Sequence, residues 1–470
     1  METATSTNTA TGRPITGRKP NFHLSQLGNA RRLVYHHGDT IRYCPQWKKW
    51  LVWDKDRWIV DNVSHVHQLA VSVIQSIRKD AKAVTSDDVK ANMKSFASRS
   101  EKLANFEGMI GLAAREPGIA VFPHECDSDP MLFNCRNGVI DLRTGRLHPH
   151  SRANLLLKAS PVSFEPDATC RVWSAFLERI FEGNQDLIRF LQRALGYALT
   201  GKVGEKALFF LYGSGDNGKT TLIETFRYIL GDYAGAMHSE ALMKKSQNTE
   251  RERAIADLLG KRFITSSEAA DGEHFNEAMV KQLTGMGRLK GRHIYGSSFE
   301  FDPQFKLFID ANHKPQISGN EQAIWNRFRL IPFNVSIPKA EQDRELSAKL
   351  RAEAPGILAW AVKGCLMWQR EGLGMPKAVA FATQEYREEM DPITGFLEDC
   401  CEIDPQAKAP FGDLYPAYQR YCKTYSEKAL SQRSFGAALD RRGYTLTRDS
   451  GTRYRKGLRL TKAHDSAFRA

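Results

Sequence analysis

A glycine-rich segment contains the residues best suited to chemistry. It reads Gly213-Ser214-Gly215-Asp216-Asn217-Gly218-Lys219-Thr220 and is followed by Thr221. Glycines allow successive backbone N–H groups to point at phosphate oxygens, the lysine ammonium neutralises the β- and γ-phosphates, and the hydroxyl after it can ligate Mg²⁺. The segment predicts a nucleoside triphosphate site formed by Gly213, Ser214, Gly215, Asp216, Asn217, Gly218, Lys219, Thr220 and Thr221, with Thr220 on the metal.

Two strand-like segments further along the chain end in polar residues. The first, 262–267, ends at Glu268, and the second, 306–311, ends at Asn312. A carboxylate in the first position can orient Mg²⁺ or polarise the attacking water, and an amide in the second can hold that water. Helix capping or loop solvation is the alternative interpretation of each residue alone. Their order after the glycine-rich segment favours the catalytic interpretation.

Two arginines, Arg327 and Arg329, precede the apolar segment 330–333. An arginine can stabilise the charge that develops at the γ-phosphate, and in a ring the neighbouring subunit supplies it. A salt-bridged surface arginine is the alternative. The position favours the first interpretation, an arginine finger.

The elements around the glycine-rich segment have the order that phosphate binding needs. An apolar strand-like run, 207–212, precedes it, and a helical segment, 221–230, follows it. The features of a GTPase are missing, because Asp257-Leu258-Leu259-Gly260 ends a helical pattern and Asn312-His313-Lys314-Pro315 lacks the aspartate that reads guanine. We therefore expect ATP, with Mg²⁺, as the cofactor.

Composition limits the class of protein. The 470 residues carry a formal charge of +13, which favours a polyanionic partner but also suits ribosomal or membrane-surface proteins. No apolar run approaches the roughly 20 residues that cross a bilayer, so no membrane association is predicted. The eight scattered cysteines lack metal-ligand spacing and predict reduced thiols. A cytoplasmic protein of a bacterial or phage-host cell is expected.

Periodicity predicts an α/β fold with an ATPase core and several flanking parts. Four tryptophans near residues 47–58 predict core packing, with base stacking as the alternative. The predicted parts are a disordered basic arm (1–21), an N-terminal α+β domain (22–160), a helical collar (161–205), the ATPase core (206–345), a helical segment (346–404) and a winged-helix domain (405–470).

The winged-helix prediction brings DNA-contacting candidates with it. Arg433 lies near the start of the second helix, where side chains reach a major groove. Arg453 and Arg455 lie between two closing β segments, where they can contact phosphate. Winged helices also bind partner proteins, so a protein partner is the alternative.

Taken together, these motifs resemble the helicase part of the phage and plasmid primase-helicase family, which belongs to superfamily 3 and is related to the poxvirus-type primase-helicases. The resemblance covers roughly residues 25 to 460. It includes the segments Asn134-Cys135-Arg136-Asn137-Gly138 to Asp141-Leu142-Arg143-Thr144-Gly145, the glycine-rich segment, Glu268, Lys281-Gln282-Leu283-Thr284-Gly285, Phe299-Glu300-Phe301 with Pro303, Asn312-His313-Lys314-Pro315, 325–332 and the winged helix.

The resemblance implies an AAA+-like hexameric ring that hydrolyses ATP between subunits and moves 3′→5′ on single-stranded DNA. It assigns Gly218, Lys219 and Thr220 to the Walker A site, Glu268 to Walker B with a metal role, Asn312 to the sensor and Arg327 to the finger. The stretch 288–293 corresponds to a hairpin in the pore, where Lys290, Arg292 and His293 can grip phosphates. A solvated charge run is the alternative there.

The sequence departs from the family pattern at two positions. Ala269 follows Glu268 where a second acidic residue is common, so metal and water roles cannot be divided between two adjacent carboxylates. Gly287 stands near the position where an aspartate commonly follows the Thr-Gly of the hairpin motif.

Three function classes follow from the sequence. They are a replicative helicase of a phage, plasmid or integrated mobile element, an ATP-dependent initiator that binds an origin without autonomous unwinding, and a small-molecule kinase whose ATPase rate ignores DNA. ATP-dependent unwinding separates the first two classes. For the helicase we expect single-stranded and forked DNA, a homo-hexamer and a separate primase or polymerase as partners, because the upstream primase domain of the family has no room in this sequence.

Overall fold

The computed structural model describes residues 22–244, 248–267, 274–292, 296–317, 322–390, 393–424, 429–449 and 451–461. The predicted arm, 1–21, lies outside the described residues. The described chain divides into two compact units, one formed by 22–128 with His150–Leu157 and the other by Asp129–Pro149 with 158–461. The segment 129–149 thus belongs to the larger unit, whereas the predicted boundary at 160 placed it in the N-terminal domain.

The smaller unit packs helices against one antiparallel sheet, β1-β2-β3. Trp58 is buried in it, and Trp53 packs edge-on against Trp58 with ring centroids 5.6 Å apart. These tryptophans therefore build the core that their spacing predicted. The elements are α1 (Gln26–His37), β1 (Ile41–Cys44), β2 (Lys49–Asp54), β3 (Arg57–Val60), α2 (His65–Lys82), α3 (Asp87–Ser100) and α4 (Leu103–Ala113).

The larger unit is built around a five-stranded sheet in which every pairing is parallel. Its N-terminal part contributes β4 (Leu132–Cys135), β5 (Gly138–Asp141), β6 (Arg146–His148), α5 (Arg171–Ile180) and α6 (Gln185–Leu199). The sheet region contains β7 (Leu208–Tyr212), α7 (Lys219–Leu230), β8 (Ala234–Ala236), α8 (Asn248–Ala256), β9 (Phe263–Ser267), α9 (Glu277–Leu283), β10 (Leu289–Arg292), β11 (Ser298–Phe301), β12 (Lys306–Ala311), α10 (Gln322–Trp325) and β13 (Phe328–Pro332).

The strand order is β13-β7-β12-β9-β8. Residues Leu208 to Leu211 of β7 are all buried, as expected for a parallel strand covered on both faces. Phe209 and Leu211 pack in one cluster with α5, α6 and α7, whereas Leu208 and Phe210 pack in a second cluster on the other face. The α/β class is thereby confirmed. The carboxyl ends of the parallel strands β7, β12 and β9 lie side by side.

Helices and a small antiparallel sheet follow the parallel sheet. The elements are α11 (Leu346–Ala352), α12 (Ala354–Glu371), α13 (Lys377–Glu389), α14 (Thr394–Cys400), β14 (Cys401–Pro410), α15 (Phe411–Thr424), α16 (Gln432–Arg441), β15 (Leu446–Asp449) and β16 (Thr452–Leu460). The antiparallel order is β14-β16-β15.

Strand β14 corrects the sequence interpretation, which extended a helical segment to residue 404. Its pairing with β16 joins Cys401 to Leu460 and Pro410 to Tyr454, with a register shift between Ile403 and Lys408. All eight cysteines are free thiols. Within the described ranges, no helix combines the length and apolar character that a membrane span requires.

Candidate nucleotide-binding site

The glycine-rich loop joins the end of β7 at Tyr212 to the start of α7 at Lys219, which is the strand, loop and helix order that the sequence predicted. Its last glycine, Gly218, has a φ of 85°. A Cβ added to Gly218 would lie 2.8 Å from Ile180 Cγ2 and 2.9 Å from Phe176 Cε2. Only glycine fits there, because both the left-handed backbone and the contact with α5 exclude a side chain.

Lys219 is 3% exposed, and its ammonium lies within the loop. Its Nζ donates to Gly213 O at 2.7 Å, to Asn217 Oδ1 at 3.1 Å and to Asn312 Oδ1 at 2.9 Å. Asn312 directly follows β12, the strand beside β7. The structure therefore brings together two of the predicted catalytic residues, Lys219 and Asn312, from separate segments of the chain.

A carboxylate that the sequence interpretation did not single out lies beside them. Thr220 Oγ1 donates to Asp310 Oδ2 at 3.2 Å, and Lys219 Nζ lies 3.9 Å from Asp310 Oδ1. Asp310 precedes Asn312 by two residues, and side chains two apart on a strand point to the same face. That spacing was the available signal, but it becomes informative only once β12 is known to lie next to β7.

The loop and the strand ends enclose a cavity of about 500 Å³. A cavity of this size accommodates a nucleotide-sized ligand. Its lining consists of Gly215, Asp216, Asn217, Gly218, Lys219, Thr220, Thr221, Ser267, Asp310 and Asn312. Of the predicted nucleotide-binding residues, Gly213 and Ser214 are absent from this lining. The predicted Glu268 lies outside the described residues, next to the lining residue Ser267.

The donor set of the cavity suits a hard cation bound with phosphate. The Thr220 hydroxyl and the Asp310 carboxylate supply oxygen, the ligand atom that Mg²⁺ prefers, and Lys219 supplies a positive charge for phosphate. The first residues of α7 add backbone N–H groups at the positive end of a 12-residue helix. These residues fit Mg²⁺ together with a triphosphate.

Arg327 lies at the opposite end of the parallel strands, where they begin. It directly precedes β13, whose first residue, Phe328, pairs with Leu208 at the start of β7. Arg327 Nε donates to Thr284 Oγ1 at 3.0 Å. The structure therefore does not bring Arg327 to the glycine-rich loop of its own chain.

Arg329, the second of the two arginines, is half-buried. Its Nη1 donates to Asn326 O at 2.8 Å and to Phe328 O at 2.9 Å. Burial lowers the pKa of Arg329, and Glu205 opposes that shift.

The predicted pore stretch forms an antiparallel hairpin of β10 and β11. Lys290 and Arg292 are exposed on β10. Lys290 pairs across the hairpin with Glu300, and Arg292 Nε donates to Gly296 O at 3.1 Å. His293 lies outside the described residues. The hairpin presents two exposed cations on a short two-stranded element.

The C-terminal arginines differ in exposure. Arg433 is exposed in the first turn of α16, where the N-cap residue Ser431 accepts from the backbone N–H of Ser434 at 3.2 Å. Arg453 is exposed on β16.

Arg455, the third C-terminal candidate, is only 3% exposed. It donates to Gly436 O and Tyr444 O, each at 2.9 Å, and pairs with Asp440. The prediction that Arg455 contacts DNA is therefore wrong for this conformation, because the guanidinium joins α16 to the strands instead.

A lysine links the Asn312 loop to helix α13. Lys314 Nζ lies 2.7 Å from Glu389 Oε1, 4.8 Å from the ring centre of Tyr212 and 5.6 Å from that of Tyr386. Burial raises the pKa of Tyr386 well above its ordinary value. Because α13 precedes the C-terminal elements, these contacts join the end of β12 to the helix that leads toward them.

Two more buried cations lie at the amino-terminal ends of the parallel strands, which is the end opposite the cavity. Arg262, before β9, is fully buried, donates to Leu199 O at 2.6 Å and Leu132 O at 2.8 Å, and stacks on Tyr233. Lys306, at the start of β12, is 3% exposed and donates to the carbonyls of Thr200, Lys202 and Gln304. Burial lowers the pKa of Lys306 well below its ordinary value.

Three family models match separate parts of the chain. The model described as D5 N terminal like matches residues 30–182, and the model described as Poxvirus D5 protein-like matches residues 388–442. Between them, residues 211–327 match a Family of unknown function (DUF5906). The middle segment, 211–327, contains the glycine-rich loop, Asp310, Asn312 and Arg327.

Several viral proteins are similar in sequence. A protein of Acanthamoeba polyphaga mimivirus named "Putative helicase" is 28% identical over 64% of this chain and 34% of its own length. One of Frog virus 3 with the same name is 29% identical over 56% of this chain and 29% of its own. A "Putative primase" of African swine fever virus is 23% identical over 72% of this chain and 38% of its own. The chain thus spans about a third of the length of these relatives.

The fold has a solved counterpart. The apo structure of the C-terminal region of NrS-1 superposes with a TM-score of 0.52 at 11% identity, covering 92% of this chain and 98% of the other. At that identity the likeness concerns the fold alone.

Proposed function

We propose that this chain is a member of the D5-like primase-helicase family and works as an ATP-dependent DNA helicase, because D5-type family models match two parts of it and viral proteins named putative helicase are similar to it in sequence. It forms a hexameric AAA+-like ring, translocates 3′→5′ on single-stranded DNA and serves the replication of a phage, plasmid or integrated mobile element. Ring size and direction come from the family resemblance.

The observation that carries the proposal is the contact of Lys219 and Thr220 with Asn312 and Asp310. Two neighbouring parallel strands, β7 and β12, supply these groups to one cavity of about 500 Å³. The strand after β12 in the sheet, β9, ends beside the same cavity at Ser267. This order, with one strand between the loop strand and β9, suits a P-loop ATPase in which an amide and a carboxylate face the γ-phosphate.

In this proposal Lys219 and the N–H groups at the start of α7 hold the β- and γ-phosphates. Thr220 ligates Mg²⁺, with Glu268 as the predicted second metal-site residue, and Mg²⁺ when bound neutralises charge on the phosphates. Asn312 positions the attacking water. Arg327 acts in the site of the neighbouring subunit, and for this its side chain leaves Thr284.

DNA contact is assigned to two exposed basic regions. Lys290 and Arg292 on the β10–β11 hairpin, with His293, grip the phosphates of the translocating strand without reading sequence. The C-terminal elements have the order of a winged helix, in which Arg433 on α16 and Arg453 on β16 contact duplex DNA.

The test is unwinding of a forked DNA duplex with defined tails by wild type, Lys219→Ala and Arg327→Ala. We expect wild type to unwind only duplexes with a 3′ tail, and each variant to lose at least about 100-fold in rate, because phosphate binding or charge stabilisation is removed. Each variant mixed into wild type is expected to inhibit more than in proportion to its fraction, because the active site is shared. Asp186→Asn, an exposed change on α6, is the control.

Two results would contradict parts of this proposal. Full unwinding by Arg327→Ala would remove Arg327 from the shared site. ATP hydrolysis without any strand separation would favour the second candidate, an ATP-dependent initiator. The exposed Arg433 on α16 supports that candidate, and retention of one duplex sequence over others would then be expected.

A further inference from the structure

We infer that Asp310 is the carboxylate that orients Mg²⁺ in this site, taking the place of the second acidic residue that the chain lacks after Glu268. The inference rests on the proposed ATPase function and concerns a residue of the same site. It concerns a positioning role, exerted through Thr220 and the hydration shell of the metal.

Asp310 contacts the hydroxyl that would ligate the metal. Thr220 Oγ1 lies 3.2 Å from Asp310 Oδ2, with the hydroxyl as donor. A hydroxyl that ligates Mg²⁺ must present its lone pairs to the metal, and a carboxylate that accepts its proton fixes that orientation. In P-loop enzymes the loop hydroxyl and an aspartate hold the metal together.

The strand order of the sheet places Asp310 next to the strand that leads into the loop. Strand β12 lies between β7 and β9, and Asp310 pairs with Leu211 on one side and Ser267 on the other. Neighbouring strands lie about 4.8 Å apart, so a side chain on β9 starts one strand further from the loop than a side chain on β12. Asp310 therefore reaches Thr220 directly, and residue 269, an alanine, offers no carboxylate at all.

Asp310 also lies close to the positive charge of Lys219. The Asp310 side chain is 18% exposed and lies 3.9 Å from Lys219 Nζ, so the site holds a partly buried pair of opposite charges. A phosphate group that enters brings negative charge to Lys219 and repels Asp310. A divalent cation between phosphate and Asp310 removes that repulsion, which couples metal binding to nucleotide binding.

This coupling gives the measurement. Binding of a fluorescent ADP analogue (mant-ADP) is titrated with saturating Mg²⁺ and again in EDTA, for wild type, Asp310→Asn and Asp310→Ala. The ratio of the two affinities reports how strongly the metal and the nucleotide help each other. Mn²⁺ bound in the nucleotide complex, counted by electron paramagnetic resonance, is a second readout that needs no hydrolysis.

We expect both variants to bind mant-ADP in EDTA as well as wild type or a few-fold tighter, because a negative charge beside the phosphates is gone. The Mg²⁺-dependent gain in affinity is expected to fall about 10-fold or more, as for loss of a residue that orients a metal ligand. Asp186→Asn is expected to match wild type. Unchanged EDTA binding also shows that the variants fold.

Other results would overturn the inference in distinguishable ways. If Asp310→Asn keeps the full Mg²⁺ effect and binds Mn²⁺ as wild type does, Asp310 has no role at the metal, while the proposed ATPase function stands. If wild type binds no nucleotide with or without Mg²⁺, both the inference and the proposed function fail.

Discussion

Lys219 lies beyond the carboxyl end of one strand of the parallel sheet, and Lys306 lies at the amino-terminal start of another. Each is only 3% exposed. The ammonium of Lys219 contacts two side-chain amides and one backbone carbonyl and lies 3.9 Å from the Asp310 carboxylate, whereas that of Lys306 contacts three backbone carbonyls and the ring of Tyr197. Side-chain oxygens can turn away when a phosphate arrives, but backbone carbonyls move only if the chain moves. Burial of a lysine therefore does not mark a site; the kind of oxygen around it does.

The same contrast recurs in the C-terminal elements. Arg455 is buried against carbonyls of α16 and the following turn, and Arg453, two residues earlier on β16, is exposed. In both pairs one cation holds elements of the fold together and the other faces a cavity or solvent.

The strongest test of this comparison is Lys306→Met. The substitution keeps the length of the side chain but leaves three buried carbonyls without their donor, so we expect the free energy of unfolding to fall by about 2–4 kcal/mol. Thermal and urea unfolding measure this change. Lys202→Met, an exposed change beside Lys306, is the control. Lys219→Ala is expected to cost less stability than Lys306→Met while losing ATP turnover, because two of the acceptors of Lys219 are side-chain amides that can turn toward other partners. Equal losses of stability for Lys219→Ala and Lys306→Met would break the comparison.

The arginine pair gives a smaller effect. Arg455→Ala is expected to cost about 1–3 kcal/mol of stability in the C-terminal elements, because Gly436 O and Tyr444 O lose a donor. Arg453→Ala is expected to leave stability unchanged, to weaken duplex DNA binding several-fold and to lower the slope of log affinity against log salt by about 1. Unfolding curves and DNA titrations at several salt concentrations separate the two. A DNA-binding loss for Arg455→Ala without any loss of stability would restore Arg455 as a direct contact.

The smallest effect concerns pH. Burial lowers the pKa of Lys306 in the folded state. At pH values between that lowered pKa and the ordinary value near 10.4, the unfolded chain therefore binds more protons than the folded chain. Stability conferred by this residue therefore rises as pH increases through that window. We expect the free energy of unfolding to rise less between pH 7 and pH 10 in Lys306→Met than in wild type. Parallel pH dependences in the two proteins would mean that Lys306 does not titrate differently on folding.

The sequence predicted the loop, its flanking strand and helix, and Asn312 as a residue of the same site, because these signals are local and chemically specific. It did not reveal Asp310, because a strand order of β13-β7-β12-β9-β8 is set by pairings between distant segments. An aspartate within an apolar strand can be recognised as a site residue only when the neighbouring strand is known.

The errors at the C-terminus also have physical causes. Residues 401–410 alternate between apolar and polar side chains only in two short runs that Pro405 separates, so their strand pattern is weak, and pairing with β16 makes them a strand. Arg455 lies in a basic stretch that suggests a solvent-facing cation. Its burial depends on carbonyls of α16, which the stretch itself does not contain.

The contact of Gly218 with Phe176 and Ile180 limits how the chain can change over evolution. Residue 218 is restricted both by its φ of 85° and by these two side chains, each within 3 Å of the position a Cβ would occupy. Larger residues on α5 would collide with the loop itself, although neither Phe176 nor Ile180 lines the cavity. The substitutions that this helix tolerates are therefore limited by the glycine-rich loop about forty residues away in sequence.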